Sequence, residues 1–589
     1  MNLTNFLKQT DAITAQCSRE QLILLLHEIG RVLPERYRED FLKRLKAVGG
    51  MTDSESSKDA QNQPAFDEMY QLVRDNLKEI DSQEIWIEAI LNAGYDEWYD
   101  DSGDEYDYQD DSGISDMLTE ACDFVHTCMD TEQYKVGYEI GNQLFTMEIL
   151  CTNDYGGDEF FLGDMVSRGL LSCDLMQTVL DTAYCAYYAV PLKKRPDALY
   201  GVLVSSKKSE ITLETIMQHG DGDLPDFQDF LALWIAYLGE KTESDADRLI
   251  LEAVGLLNDA AAAARYAEKY VVAHPGLYLD LLEKGSYADA HDAILLGMKA
   301  MKLMPKKYIT RSRIALKTAE SIIEENKNLS LLENCYFIAY ESDTTAPNYL
   351  RALLNASDTQ KKKGELQSVF IALSGQSNKE SHSRFGSSSD SERKENKPDS
   401  NTLFLLRFLD GQFADVLEKG LNKPEPLGWT GTFMKQGIAV YLLYLYEGKW
   451  SGKGITAMAD IVKRAIGFSA EEYRRGTYGL CETDENDLFC ELFLKWKSLV
   501  QMAPDVRTHA MKQIASLLEK RTEGIMNANR RNYYGECAAY IAALGEIRES
   551  LGESGAKQRL MTSYKNTYSR RSAFREELRG YGWIDIKGK

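Results

Sequence analysis

The sequence of 589 residues contains little proline, little histidine and no long apolar run. Its 12 prolines favour a helical fold, because proline interrupts inner strands and the many turns of β-rich folds use it often. No stretch approaches the roughly 20 apolar residues that cross a bilayer, and the N-terminus has no signal-peptide core. We therefore expect neither a transmembrane segment nor membrane association.

The ten cysteines are scattered and form no C-x-x-C pair, so no zinc ribbon or redox motif of that type is present. Most of them lie among apolar residues, which is typical of buried thiols in a reducing cytoplasm. Cys122 and His126 share one helix face and could both reach one ion. A structural zinc ion needs about four ligands, and no second pair is evident. We expect no bound metal and no cofactor.

The usual catalytic and phosphate-binding templates are also missing. The segment EGKWSGKGIT (447–456) resembles a Walker A loop, but three residues instead of four separate its glycines and Gly454 follows Lys453. The sequence has no G-x-G-x-x-G, G-x-S-x-G or H-E-x-x-H. We therefore predict that the protein is not an enzyme. The alternative is a metal-dependent enzyme of unrecognised type that uses acidic residues or the Cys122–His126 pair.

Acidic residues outnumber basic ones by 92 to 68, giving a formal net charge of −24. This charge excludes general binding of nucleic acid or anionic lipid by the whole molecule. The imbalance is uneven along the chain. Residues 501–589 hold 16 basic and 10 acidic residues (net +6), which leaves −30 for residues 1–500.

The densest negative charge lies at 95–116, where ten carboxylates occur without a basic residue and aromatic side chains alternate with them. The EF-hand order of calcium ligands is absent. We interpret the segment as a solvated loop, a docking surface for a basic partner, or a cation site. The candidate docking residues combine aromatic anchors with steering charges: Trp98, Tyr99, Asp100, Asp101, Asp104, Tyr106, Tyr108, Asp110 and Asp111.

The C-terminal segment has the opposite charge. Its basic residues follow two tyrosines at helical spacing and could contact nucleic acid. They could equally dock on an acidic surface of the same protein or form the solvated face of a terminal helix. The candidate residues of this basic tail are Lys565, Arg570, Arg571, Arg575 and Arg579.

Hydrophobic spacing and composition predict five regions. They are an N-terminal helical hairpin (1–50), a linker (51–66), a helical block (67–373) with the acidic loop (95–116), a disordered linker or loop (374–402), and a second helical block (403–589). Strand signals are weak. The segment ALYGVLVSS (198–206) fits a strand or the end of a helix followed by a loop.

A recurring turn pattern joins the helices: an apolar helix ends, a glycine follows, then an aromatic, and a small or apolar residue three positions later. One copy contains Gly285, Tyr287 and Ala290, and another contains Gly411, Phe413 and Val416. In such a helical hairpin the glycine adopts the left-handed conformation that ends the first helix, and the small residue lets the helices approach closely.

This pattern resembles the turn of tetratricopeptide-like repeats, G-x-Y-x-x-A. The resemblance implies an all-α fold of the irregular α-solenoid type that binds a protein or peptide along its concave face. A compact all-α protein of several domains is the alternative.

The two ends of the chain show a second resemblance. SREQLILLLHEIG (18–30), YYGECAAYIAALGEI (533–547) and YKNTYSRRSAFREEL (564–578) are similar to the helical tails of bacterial proteins with a SWIM zinc finger. The zinc motif of that family requires C-x-C, which is absent here, so no metal ligand is carried over.

The sequence therefore predicts a cytoplasmic, non-catalytic scaffold or adaptor that binds a protein or peptide partner. A nucleic-acid-associated accessory factor that uses the basic tail is the alternative from a different functional class. The partner's identity and the oligomeric state stay open.

Overall fold

A computed structural model of the chain describes residues 59–91, 106–153, 156–208, 210–220, 224–285, 289–325, 328–374, 394–422, 425–474 and 485–585. The predicted N-terminal hairpin (1–50) lies outside these ranges. The chain divides into two units, Met1–Ala189 with Gly201–Lys207, and Val190–Tyr200 with Lys208–Lys589. Within the described ranges, no helix is both long and apolar enough to cross a membrane.

The first unit combines helices with a small sheet. Its helices are α1 (Asp59–Asp81), α2 (Ile114–Asp130), α3 (Tyr134–Thr146), α4 (Leu162–Ser167) and α5 (Leu175–Ala189). The next helix, α6 (Arg195–Ser205), is divided: its residues up to Tyr200 belong to the second unit and those from Gly201 to the first. The strands are β1 (Ile87–Leu91), β2 (Tyr106–Gln109), β3 (Ile149–Asn153) and β4 (Gly156–Phe160).

The four strands form a mixed sheet in the order β2-β1-β3-β4. β1 runs antiparallel to β2 and parallel to β3, and β4 runs antiparallel to β3. Ile87, Ile149 and Phe160 are buried on one face. The predicted all-α class is therefore incomplete. The strands are only four or five residues long, and pairing between distant segments decides whether such short stretches form strands.

Helices α2, α3 and α5 pack closely in the core of the first unit. A Cβ atom added at Gly141 would lie 2.2 Å from Thr182 Oγ1, and one at Gly137 would lie 2.7 Å from Cys185 Sγ. Both glycines of α3 therefore permit a distance to α5 that a larger residue would prevent.

The second unit is helical in all of its described elements. They are α7 (Leu213–Met217), α8 (Phe227–Gly239), α9 (Ser244–Gly255), α10 (Ala260–Lys269), α11 (Gly276–Glu283), α12 (Ala290–Leu303), α13 (Ile309–Glu324), α14 (Leu329–Ser342), α15 (Ala346–Leu354), α16 (Thr359–Ser374), α17 (Ser400–Leu409), a helical turn (Phe413–Asp415) with a π-helix (Val416–Gly420), α18 (Met434–Leu445), α19 (Lys453–Ile466), α20 (Ala470–Arg474), α21 (Glu485–Leu499), α22 (Pro504–Asn527), α23 (Tyr534–Ser550), α24 (Ala556–Thr567) and α25 (Ser572–Gly580).

Consecutive helices of this unit pack on each other, as α12 does on α13, α13 on α14, and α23 on α24. The prediction of a mostly helical protein is confirmed. The ambiguous segment 198–206 lies in and directly after α6, so its apolar residues belong to a helix and not to a strand.

At the two best copies of the turn pattern, both glycines have positive φ angles, 66° at Gly285 and 85° at Gly411. Ala290 begins α12, and Tyr287 lies outside the described residues. Phe413 is buried, and its ring meets Phe408 of α17 edge to face at 5.0 Å. Val416 is fully buried. At the second turn, the aromatic side chain thus packs back on the preceding helix.

Residues 394–402 belong to the predicted disordered segment 374–402, yet they are ordered against the second unit. Ile309 N–H donates to Lys394 O at 3.0 Å, and Asn396 N–H donates to Lys307 O at 2.7 Å. The Asn396 side chain is buried, donates to Glu341 O at 3.0 Å and accepts from Thr344 N–H at 3.0 Å. Backbone hydrogen bonds and the side-chain amide of Asn396 therefore order a strap (residues 394–396), although its polar composition predicts disorder.

The start of the first helix also differs from the prediction. The predicted linker covers 51–66, whereas α1 begins at Asp59. Alanine and glutamine in this stretch are good helix formers, so helix can extend toward the N-terminus from the apolar turns that follow.

Candidate functional site

Only part of the predicted docking segment is described. Trp98, Tyr99, Asp100, Asp101 and Asp104 lie outside the described residues. The remaining candidates are described: Tyr106, Tyr108, Asp110 and Asp111.

Some of the described candidates make contacts within the first unit itself. Tyr106 and Tyr108 belong to β2, and the Tyr108 ring meets Phe160 at 5.4 Å with the Arg168 guanidinium 4.9 Å above it. Asp110 accepts hydrogen bonds from the first N–H groups of α2, at 2.9 Å from Ile114 N and 2.7 Å from Ser115 N. Tyr108 and Asp110 thus have intramolecular contacts. Asp111 is exposed, and its Oδ1 accepts from Gln109 Nε2 at 2.7 Å.

The basic tail lies on α24, α25 and the turn between them. Arg571 donates to Asn529 Oδ1 at 2.5 Å and to Met526 O at 2.8 Å. Its side chain therefore caps the C-terminal end of α22. Carbonyl groups at a helix end favour such a cation.

Two further residues of the tail surround Trp583. The Lys565 ammonium lies 5.7 Å from the indole centroid, and the Arg579 guanidinium lies 5.8 Å from it. Arg579 also pairs with Glu576 at 2.7 Å. The other two residues differ in exposure, since Arg570 is exposed and Arg575 is half-buried.

Cys122 and His126 do not form a joint site. His126 Nδ1 lies 3.0 Å from Asp181 Oδ2, and Gln177 Nε2 donates to Asp181 Oδ1 at 3.1 Å. The hydrogen bond with the buried Asp181 raises the pKa of His126. In the described ranges, no cluster of three or more His, Cys, Asp or Glu could hold a metal ion.

In the segment 447–456, which resembles a phosphate-binding loop, the backbone N–H groups bind a carboxylate of the protein itself. Glu546 of α23 accepts from Gly454 N–H at 3.1 Å and from Ile455 N–H at 2.8 Å, which are the first-turn donors of α19. Lys557 adds an ion pair to the same carboxylate at 2.6 Å. Because the free N–H groups at a helix start attract anions, Glu546 occupies the position that a phosphate would need.

The second unit contains an open cavity of about 770 Å³. One wall is the face of α13 that carries Ser312, Arg313, Leu316, Lys317 and Glu320. These residues fall on successive turns of one helix face, since 312, 316 and 320 are four apart, as are 313 and 317. The opposite walls come from the turn before α15, the first turns of α15, and the segment that follows α19.

Arg351 joins these walls. It is almost fully buried, pairs with Asn348 Oδ1, and donates to Tyr473 O at 3.3 Å with its guanidinium 5.0 Å over the Tyr473 ring. Asn348 in turn donates to Asp343 Oδ2 at 3.1 Å. Side chains from α15 and α20 are thereby fixed in place, so the cavity is preformed.

Charges of both signs line the cavity. Burial raises the pKa of Asp343, although the cations Arg313, Arg351 and Lys394 oppose that shift. Lys317 and Glu320 pair with each other at 2.9 Å. Arg313 is exposed and has no ion pair with any residue in the described ranges. The cavity therefore offers Arg313 as a cation for an incoming carboxylate.

Sequence reasoning missed this site because its residues come from positions 283 to 473.

Comparison with models of known protein families and with curated proteins finds no match.

Proposed function

We propose that this protein is a non-catalytic scaffold that binds an extended segment of a protein partner in the cavity of the second unit. The observation that carries the proposal is the preformed cavity in which Arg313 faces solvent without an ion pair to a described residue. The resemblance to tetratricopeptide-like solenoids supports the same assignment.

The lining favours a peptide over a small apolar ligand. Apolar surface from Ile309, Leu316, Pro347 and Ile466 is interleaved with charges, whereas pockets for small ligands are mostly apolar. An extended chain can place alternate side chains on the apolar and charged parts. We propose that the bound segment carries an acidic residue opposite Arg313.

A peptide-display library tests the proposal on the full chain. Selected peptides are measured by fluorescence polarisation against the wild type, Arg313→Glu and a matched charge reversal at the exposed Lys512, Lys512→Glu. An interaction lost to like-charge repulsion costs about 1–3 kcal/mol, so we expect Arg313→Glu to weaken binding by about 5- to 150-fold while Lys512→Glu leaves it unchanged.

Two outcomes contradict the proposal. The library yields no peptide that binds above background, or the selected peptides bind Arg313→Glu and Lys512→Glu equally well. In either case the cavity is not a peptide site.

A second candidate function is contact with nucleic acid through the basic tail. Its specific observation is that Arg571 anchors the tail beside Asn529, and that Arg530, Arg531 and Arg570 are all exposed. Phosphate contacts make affinity depend on salt. The affinity for single-stranded RNA should therefore fall steeply as the salt concentration rises, and it should be weaker in Arg530→Glu/Arg570→Glu. Equal RNA affinities of that variant and Lys512→Glu would show that the basic tail is not the binding site.

We also propose the cytoplasm as the compartment. No disulfide joins cysteines in the described ranges, which fits a reducing environment.

A further inference from the structure

The sheet of the first unit exposes large apolar side chains on one of its faces. Successive residues of a strand point to opposite faces, so Ile87 and Ala89 of β1 lie in the core, whereas Glu88 and Ile90 point away from it. Ile90 is 45% exposed. The same alternation places Trp86, directly before the strand, on the side of Ile90, and Trp86 is 47% exposed. Side chains of this size and polarity are usually more buried.

The neighbouring strands extend this surface. Ile90 lies opposite the exposed Asp107 of β2. On β3, the half-buried Leu150 stands between two buried residues and lies opposite the exposed Glu159 of β4. The four strands contain four acidic residues and no basic one. We call this surface the outer sheet face, and its members are Trp86, Glu88, Ile90, Asp107, Leu150 and Glu159.

Two properties of the outer sheet face indicate that another element covers it. β1 and β3 run parallel, and parallel strands are usually covered on both faces. In addition, exposed apolar side chains that are surrounded by polar ones mark an interaction site. Because the surrounding side chains are acidic, the element that covers this face should combine an apolar stripe with basic residues.

Residues 31–46 of the same unit have these properties. They belong to the predicted N-terminal hairpin, which lies outside the described residues. Pro34 suits the first position of a helix, and Tyr37, Phe41 and Leu45 are then spaced four residues apart on one helix face. The segment contains six basic and three acidic residues, so its net charge of +3 is opposite to that of the outer sheet face.

The connection between this segment and the described part of the unit is long enough to reach the sheet. α1 has 23 residues and leads into β1, so its start lies about 35 Å from its end. The 12 residues 47–58 precede α1, and an extended chain of that length spans about 40 Å. The connection can therefore run back along α1 and bring residues 31–46 to β1.

We propose that residues 31–46 dock as an amphipathic helix on the outer sheet face of the same molecule. The apolar stripe of the helix covers Trp86 and Ile90, which removes their exposed surface from water. Arg36 and Arg38, which flank Tyr37, lie near the carboxylates of the outer sheet face and fix the orientation of the helix. The competing occupants are a second copy of the chain and a different segment, and the experiment distinguishes them.

Photo-cross-linking tests the contact in the full chain. The photoreactive amino acid p-benzoylphenylalanine replaces Ile90, unlabelled and ¹⁵N-labelled protein are mixed in equal amounts, and the linked peptides are identified by mass spectrometry. We expect links from position 90 to residues 31–46, and only between peptides of the same isotope. The control places the same amino acid at the exposed Thr127 of α2 in the same unit, from which no link to residues 31–46 should form.

Four outcomes overturn the proposal. The links from position 90 lead to another segment, they join the two isotopes and so identify a second copy, they do not form, or they form equally from both positions.

A double charge reversal tests the role of the basic residues. Arg36→Glu/Arg38→Glu places like charges opposite the outer sheet face, so the yield of links from position 90 should fall at least about five-fold. The matched control Lys8→Glu/Arg19→Glu makes the same change of charge outside residues 31–46 and should leave the yield unchanged. Equal yields in the two variants overturn the assignment of Arg36 and Arg38 to this contact.

Discussion

The contact between α19 and α23 leaves no room for a side chain at Gly454. A Cβ atom there would lie 2.3 Å from Ala543 N and 2.7 Å from Ala542 C, whereas such atoms normally stay about 3.5–4.0 Å apart. Backbone atoms inside a helix cannot rotate away as a side chain can. Gly454→Ala therefore forces the two helices apart by about 1 Å or more.

The size of the effect follows from two opposing contributions. Overpacking costs about 1–3 kcal/mol, and the rigid neighbours here place the cost near about 3 kcal/mol. Alanine regains up to about 1 kcal/mol over glycine within a helix. We expect a net loss of about 2 kcal/mol in the free energy of unfolding. The substitution keeps the backbone N–H of residue 454, so the loss is not caused by removing the donor that binds Glu546.

Urea unfolding followed by tryptophan fluorescence measures this difference, because five of the seven tryptophans belong to the second unit. The matched control is Gly364→Ala in α16 of the same unit, where an added Cβ has no atom within 4 Å. There the same substitution should stabilise by about 0.5–1 kcal/mol. Equal midpoints for Gly454→Ala and the wild type, or equal losses at both positions, would refute the steric argument.

Two further predictions concern charged groups. Glu546→Gln replaces a carboxylate that accepts three hydrogen bonds with an amide that has one acceptor oxygen, so urea unfolding should show a loss of about 2–3 kcal/mol; an unchanged midpoint would contradict this role. Since Asp181 raises the pKa of His126, the stabilisation is complete below the unfolded value of about 6.5 and is lost as pH rises through the folded value. The stability of wild type minus His126→Gln should thus be largest near about pH 5.5 and shrink toward about pH 8 in thermal unfolding; a difference that grows with pH would have the wrong sign.

Regular apolar spacing was a sufficient guide to the helices. The stripe of α19, for example, predicts a helix from the sequence, and its members Ile455, Met458, Ala459 and Val462 are buried. The sheet was not predictable in the same way. β4 reads GGDEF, with two glycines and two acids, and it becomes a strand because β3 supplies hydrogen-bond partners.

The candidate sites depended on contacts between distant residues, which local motifs do not reveal. The glycines of 447–456, for example, suggested a comparison with phosphate loops. The structure gives a different reason for them: Gly454 packs against the backbone of α23, and Glu546 of α23 supplies the anion. The cavity around Arg351 is assembled in the same long-range way.

The strap at 394–396 also determines what a break in the chain would do. Its hydrogen bonds hold the chain that leads into α17 to the turns beside α13 and α14, independently of the peptide bonds between residues 374 and 394. A polypeptide divided within 375–393 would therefore give two fragments that carry complementary contacts. Asn396 would then act as an intermolecular anchor, and this part of the chain is a natural place to divide the protein for fragment complementation.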